Sequence, residues 1–120
     1  MKSTTAYRIA AVLGFLGVAL GAFGAHLFQA HLTALDMGKT WNTASFYHMV
    51  HAVVLLVISR EYASQKIAWW AFFIGLLLFS GSLYGYSLSG IKTLAHITPI
   101  GGLALLVGWA ALVFGRSEPR

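Results

Sequence analysis

Residues 40–59 read TWNTASFYHMVHAVVLLVIS, twenty positions without an Asp, Glu, Lys or Arg. A bilayer hydrocarbon core of about 30 Å asks for about 20 apolar residues in a helix, so a run of this length is a candidate membrane span. Lipid offers the backbone no hydrogen-bond partners, and a spanning segment must therefore satisfy its own N–H and C=O groups by forming a helix. The run also carries His48 and His51, three residues apart and so on one helix face.

Three further stretches lack acidic and basic side chains for long enough to cross: Ile9 to about Phe28, Ile67 to about Ser89, and Thr93 to Gly115, with the last helix opening at about residue 97. Weak alternation and the Leu, Ala and Gly content argue against barrel strands. Hydrophobic residues make up 58% of the 120-residue chain and charged residues 9%, against about 25% charged in soluble domains. So apolar a chain cannot cover its own surface in water. The net charge of +5 does not indicate nucleic acid, because the basic residues are scattered singly between apolar blocks and not gathered on one face. With no cysteine there is neither a disulfide framework nor a thiolate metal site.

The fold expected is all-α: one integral membrane domain over residues 1–120, a four-helix transmembrane bundle with spans of about 9–28, 40–59, 67–89 and 97–115. Short connections around Arg60–Lys66 and Gly90–Lys92 imply antiparallel neighbours in up-down order. Lys2, Arg8, Arg60, Lys66, Arg116 and Arg120 then share one side, and Lys39 and Lys92 the other. The excess places both termini in the cytoplasm by the positive-inside rule. Tyr7, Tyr62, Trp69, Trp70 and Trp109 suit the inner interface or its approach, and Trp41, Tyr84 and Tyr86 the outer one. The first span has the charge and apolar pattern of a signal peptide, but its stripe of small residues is that of a packed helix.

In the first connection Phe28, Leu32 and Leu35 recur at helical spacing, which predicts either a continuation of the first helix or a short amphipathic segment in the outer interface. Gly38 is expected to close it in the left-handed conformation. Thr98 followed by Pro99 predicts an N-cap and first helical position for the last span, leaving His96 just outside. Helix association in lipid relies on close packing of small residues. Ala10, Gly14, Gly17, Gly21 and Gly24 form one such stripe, and Gly101, Ala104, Gly108, Ala111 and Gly115 another. Both read as intrachain packing, with a homo-oligomer interface as the rival. Gly81 and Gly85 mark the third span, where the Ser80 and Ser82 hydroxyls are expected to bond back to the helix.

The topology brings His26, His31, His48, His51 and His96 toward the outer side. Imidazole ligates zinc, copper, iron and nickel, pairs as axial ligands on haem iron, and titrates near neutrality, as a proton relay requires. Against these stands plain hydrogen bonding, with Asn42, Thr43, Ser45, Tyr47 and Thr98 close by. Asp36, Glu61 and Glu118 all lie between or beyond the spans, which removes the usual intramembrane base and cation ligand. No nucleophile elbow, phosphate loop or dinucleotide fingerprint is present.

Gly21-Ala-Phe-Gly-Ala-His26, Trp41-Asn-Thr-Ala-Ser-Phe-Tyr-His48-Met-Val-His51-Ala, Phe79-Ser-Gly-Ser-Leu-Tyr84, Ile97-Thr-Pro-Ile-Gly-Gly102 and Gly108-Trp109 follow one another in this order. Together they closely resemble domain-of-unknown-function family 423, which is related to the transmembrane protein 256 family. The resemblance covers nearly the whole chain. It implies a small bacterial inner-membrane protein of four helices with no established activity and no agreed catalytic residues. The motif positions include His26, His48 and His51 but not clearly His31 or His96.

The function expected is therefore a non-enzymatic binding or structural role in the bilayer. A polar cluster near the outer face would engage a ligand, lipid or partner, with His26, Trp41, Asn42, Tyr47, His48, His51 and Thr98 as candidate binding residues. One alternative is a transition metal or haem held by His26, His48 and His51. Another is a proton-coupled or small-solute transporter acting as a homo-oligomer.

Overall fold

The structure, a computed structural model, describes residues 1–115. Arg116 and Arg120, counted above for the orientation, and Glu118, placed above beyond the spans, lie outside the described residues. Helix α1 runs Ser3–Ala25, α2 Gln29–Ala34, α3 Gly38–Ser59, α4 Lys66–Ser89, α5 Lys92–Ala95 and α6 Thr98–Phe114, with a 3-10 turn at Tyr62–Ser64. The four long segments are those expected from the uncharged runs. α1 begins six residues before its run and stops three short of Phe28, α3 and α4 begin two residues and one residue early, and α6 falls just inside its run; charged side chains at a span's end reach water without breaking the helix. α3 has 22 residues, or about 33 Å of helix, enough to cross.

Packing follows chain order: α1 lies along α3, α3 along α4, and α4 along α6. The central pair is α3 and α4. In each of them 39% of the apolar window is buried, against 22% in α1 and 17% in the α5–α6 segment. The outward faces carry exposed Phe15, Val18, Phe46, Val57, Leu103 and Val113, an apolar coat that only lipid can solvate.

Two seams of large side chains set against small ones hold the bundle together. On α3, Trp41, His48 and Leu55 repeat every seven residues and are all buried; Gly24, Gly17 and Ala10 repeat in the opposite direction on α1 and are buried too. A Cβ built on Gly24 would run into the Trp41 indole, and one on Gly17 into the Met49 side chain, with the His48 ring at 3.4 Å. On the other flank a Cβ on Gly108 would lie 2.7 Å from the Phe72 ring, and one on Gly101 would lie 2.8 Å from the Phe79 Cα. Phe72 and Phe79, like Gly108 and Gly101, are a heptad apart. Antiparallel helices seven residues in register keep one face of each toward the other.

The small-residue stripes are therefore only partly used inside the chain. Gly14 and Gly21 have no atom within 4 Å of an added Cβ, so the stripe on α1 is not one continuous contact. Gly38 does not close α2 but opens α3. The left-handed position is Asp36 (φ 56°). Met37 N–H donates to Leu32 O at 2.8 Å and Asp36 N–H to Thr33 O at 3.1 Å, the paired bonds of a Schellman ending. A short polar side chain tolerates this conformation, which frees the glycine for the next helix. Nor is Thr98 an N-cap: Ile97 caps, Thr98 is the first helical residue and Pro99 the second. The Thr98 hydroxyl meets the Ser82 hydroxyl at 2.6 Å instead. Pro99 still fits, since none of the first four N–H groups has a partner within the helix. Ser82 bonds back to Phe79 O at 3.0 Å as expected, but Ser80 reaches across to Ala44 O at 2.8 Å and ties α4 to α3.

Candidate functional site

His48 is the eleventh of the 22 residues of α3 and His51 the fourteenth. At 1.5 Å per residue His48 lies about 15 Å from either end of the helix, near the bilayer centre. The two are thus deeper than the outer-face position expected from sequence. His26, His31 and His96 do gather at the end of the bundle that holds α2 and α5, and all three are exposed. His31 Nε2 bonds Leu88 O at 2.7 Å and ties the α2 segment to the end of α4.

His48 is 5% exposed, and both of its ring nitrogens are engaged. Nε2 meets Leu13 O of α1 at 2.7 Å and Nδ1 meets the Tyr84 hydroxyl of α4 at 2.8 Å. A carbonyl can only accept, so Nε2 carries the hydrogen and the Tyr84 O–H donates to Nδ1. Ser45 Oγ lies 3.5 Å from the same hydroxyl. Two turns nearer the N-terminus of α3, Trp41 Nε1–H donates to Leu20 O at 3.0 Å, and its ring packs on Tyr84 at 4.7 Å between centroids. The accepting carbonyls, Leu13 and Leu20, each lie four residues before a glycine, Gly17 and Gly24. A side chain there would cover the carbonyl; its absence lets an aromatic N–H from α3 reach it.

His51 faces the opposite flank. Nδ1–H donates to Tyr47 O at 2.8 Å, and Trp109 Nε1–H of α6 donates to Nε2 at 3.1 Å. The two histidines are therefore opposite tautomers, His48 protonated at Nε2 and His51 at Nδ1. Among the described residues no buried side-chain nitrogen or oxygen lacks a partner, as a polar group in hydrocarbon requires.

Above His51 a cleft of about 600 Å³ opens sideways between α3, α4 and α6. Tyr47, His51, Phe79 and Trp109 supply rings, and Pro99, Gly102, Leu103, Leu105 and Leu106 complete the walls. Tyr47 and Phe79 pack at 4.5 Å, and Trp109 is 42% exposed toward the opening.

Of the residues expected from sequence, the structure brings Trp41 and His48 together at the α1 seam, and Tyr47 and His51 at the cleft. Thr98 stands beside Pro99 at the cleft wall, bonded to Ser82. His26 and Asn42 are exposed and join neither group. Among the described residues no three His, Cys, Asp or Glu side chains gather to hold an ion. All four ring nitrogens of His48 and His51 are engaged in hydrogen bonds. Sequence reading missed the partners Tyr84 and Trp109 and the Leu13 and Leu20 carbonyls. The signal present was the matched heptad of 41, 48 and 55 with 24, 17 and 10.

A family model described as "Protein of unknown function (DUF423)" matches residues 20–102. The inner membrane protein YgdD of Escherichia coli K12, named as UPF0382, is 38% identical over 96% of this chain and 91% of its own length. The UPF0382 membrane protein YwdK of Bacillus subtilis is 38% identical over 88% and 89%. A UPF0382 membrane protein of Schizosaccharomyces pombe, C1782.12c, is 36% identical over 91% and 98%. No solved structure matches the chain. With four apolar helices long enough to span a bilayer and this match over most of its length, the chain is a membrane protein that belongs to the DUF423 family of unknown function.

Proposed function

We propose that the protein is a non-enzymatic binding protein of the bacterial inner membrane, with both termini in the cytoplasm. It takes a flat, apolar, membrane-dissolved molecule into the cleft beside His51. The observation that carries this reading is the cleft itself. Its volume of about 600 Å³ falls within the range of small-molecule sites, about 300–1,000 Å³. His51 Nε2 and Trp109 Nε1 are spent on one another, and the Tyr47 hydroxyl is the one further side-chain polar group among the rings of the lining. The floor thus offers ring faces and no free charge, which suits stacking against an apolar ring. The side-facing mouth admits a ligand from lipid without passage through water. The histidines act as helix clamps in this reading, and His48 holds α1, α3 and α4 together.

The test is photolabelling in lipid vesicles with a diazirine-bearing aryl lipid, followed by mapping of the labelled residues. Labels concentrated at Tyr47, Leu103, Leu106 and Trp109, and lost in Leu106→Trp, support the cleft. Labels spread evenly around the outward faces of the four helices overturn it.

A further inference from the structure

A second groove, on the opposite flank between α1 and α4, is unconnected with the cleft. It measures about 450 Å³; Ile9, Val12, Leu13, Phe73 and Leu77 form its apolar length, and Thr5 and Arg8 stand at its head. From Thr5 to Leu13 is about 12 Å along the helix, so the groove runs from the membrane interface into the hydrocarbon. Arg8 is exposed at the head of the groove. Lys2, Arg60 and Lys66 lie at the same end of the bundle, where Glu61 is the one acid among the described residues. The apolar trough would hold an acyl chain, and the guanidinium at its head meets the phosphate of that same molecule. A guanidinium matches a phosphate with paired, charge-assisted hydrogen bonds.

We propose that the α1/α4 groove is a site for one anionic glycerophospholipid, its phosphate on Arg8 and Thr5 and an acyl chain along Ile9, Val12, Leu13 and Phe73. The site discriminates by headgroup charge, because acyl chains find apolar surroundings everywhere in the bilayer. One basic side chain near an anionic membrane surface shifts such binding by about fivefold.

Native mass spectrometry of the detergent-purified protein tests this, with phosphatidylglycerol and phosphatidylcholine of identical chains added in turn. The expected result is one phosphatidylglycerol retained about fivefold in preference to phosphatidylcholine. Arg8→Gln should bring that preference close to one while the melting temperature holds. Val12→Phe, which fills the trough and leaves the charge, should lose the retained lipid. Inorganic phosphate at millimolar concentration should not displace it. Equal retention of the two lipids by the unchanged protein overturns the proposal. So does an unaltered preference in Arg8→Gln, or displacement by phosphate alone, which would make the site one for the free anion.

Discussion

Gly21 and Gly24 stand three residues apart on α1, yet replacing each with alanine should have opposite consequences. At Gly24 the new methyl would fall on the Trp41 indole. Trp41 is 1% exposed and is held between Phe28, at 5.7 Å, and Tyr84, at 4.7 Å, so it has nowhere to retreat. Relief requires α1 to move away, which breaks the hydrogen bond to Leu20 O. Overpacking costs about 1–3 kcal/mol, and an interhelical hydrogen bond in lipid is worth about 0.6 kcal/mol on average and about 1.7 at most. Less the helix-propensity gain of up to about 1 kcal/mol that any glycine-to-alanine change in a helix brings, Gly24→Ala should therefore lose about 1–4 kcal/mol. At Gly21 the methyl meets nothing within 4 Å, and the gain in helix propensity leaves Gly21→Ala neutral or stabilised by up to about 1 kcal/mol. Reversible unfolding of both variants in one detergent mixture reads the difference directly. Equal destabilisation, or a neutral Gly24→Ala, would refute the seam of large against small residues.

The other seam makes a matching prediction. Gly101→Ala drives a methyl into the backbone of Phe79 and should lower stability more than Gly108→Ala, which meets the Phe72 ring; Gly102→Ala, 3.7 Å from Phe79, should be tolerated. Trp109→Phe keeps the ring but strips the donor from His51 and should lose about 0.6–1.7 kcal/mol in the same unfolding assay. A chelator should leave the melting temperature unchanged, and elemental analysis of the untagged protein should find no stoichiometric iron, copper or zinc. Cysteines placed at Lys39 and Lys92 should react with an impermeant maleimide from outside intact cells, and one at Lys2 only after permeabilisation.

The four spans were legible because Asp, Glu, Lys and Arg fall only at their margins or between them. A run such as 40–59 leaves one physical solution. The rotation of each helix about its axis was not legible. In water a core-facing stripe stands out against a polar one; in lipid both faces are apolar, and the seam appears only as a subtle match of sizes. Every glycine of the stripe on α1 looked equivalent, although Gly17 and Gly24 receive α3 side chains while Gly14 and Gly21 receive none. The Trp109 to His51 bond joins residues 58 apart, and nothing local to either announces the other. The histidines were recognised as the chemical feature of the chain. Plain hydrogen bonding was among the uses expected of them, but most of the partners were not legible, because backbone carbonyls leave no mark in a sequence. Asp36 taking the left-handed turn in place of Gly38 shows the same limit: two residues could close α2, and the chain used the glycine elsewhere.

The most direct test of the account is nitrogen NMR of protein labelled with ¹⁵N only in histidine, held in lipid, with His48→Gln and His51→Gln variants to assign the signals. The account predicts one buried imidazole protonated at Nε2, which is His48, and one protonated at Nδ1, which is His51, each split cleanly into one protonated and one bare nitrogen. Identical tautomers for the two, or signals shifted by a bound metal, would contradict it.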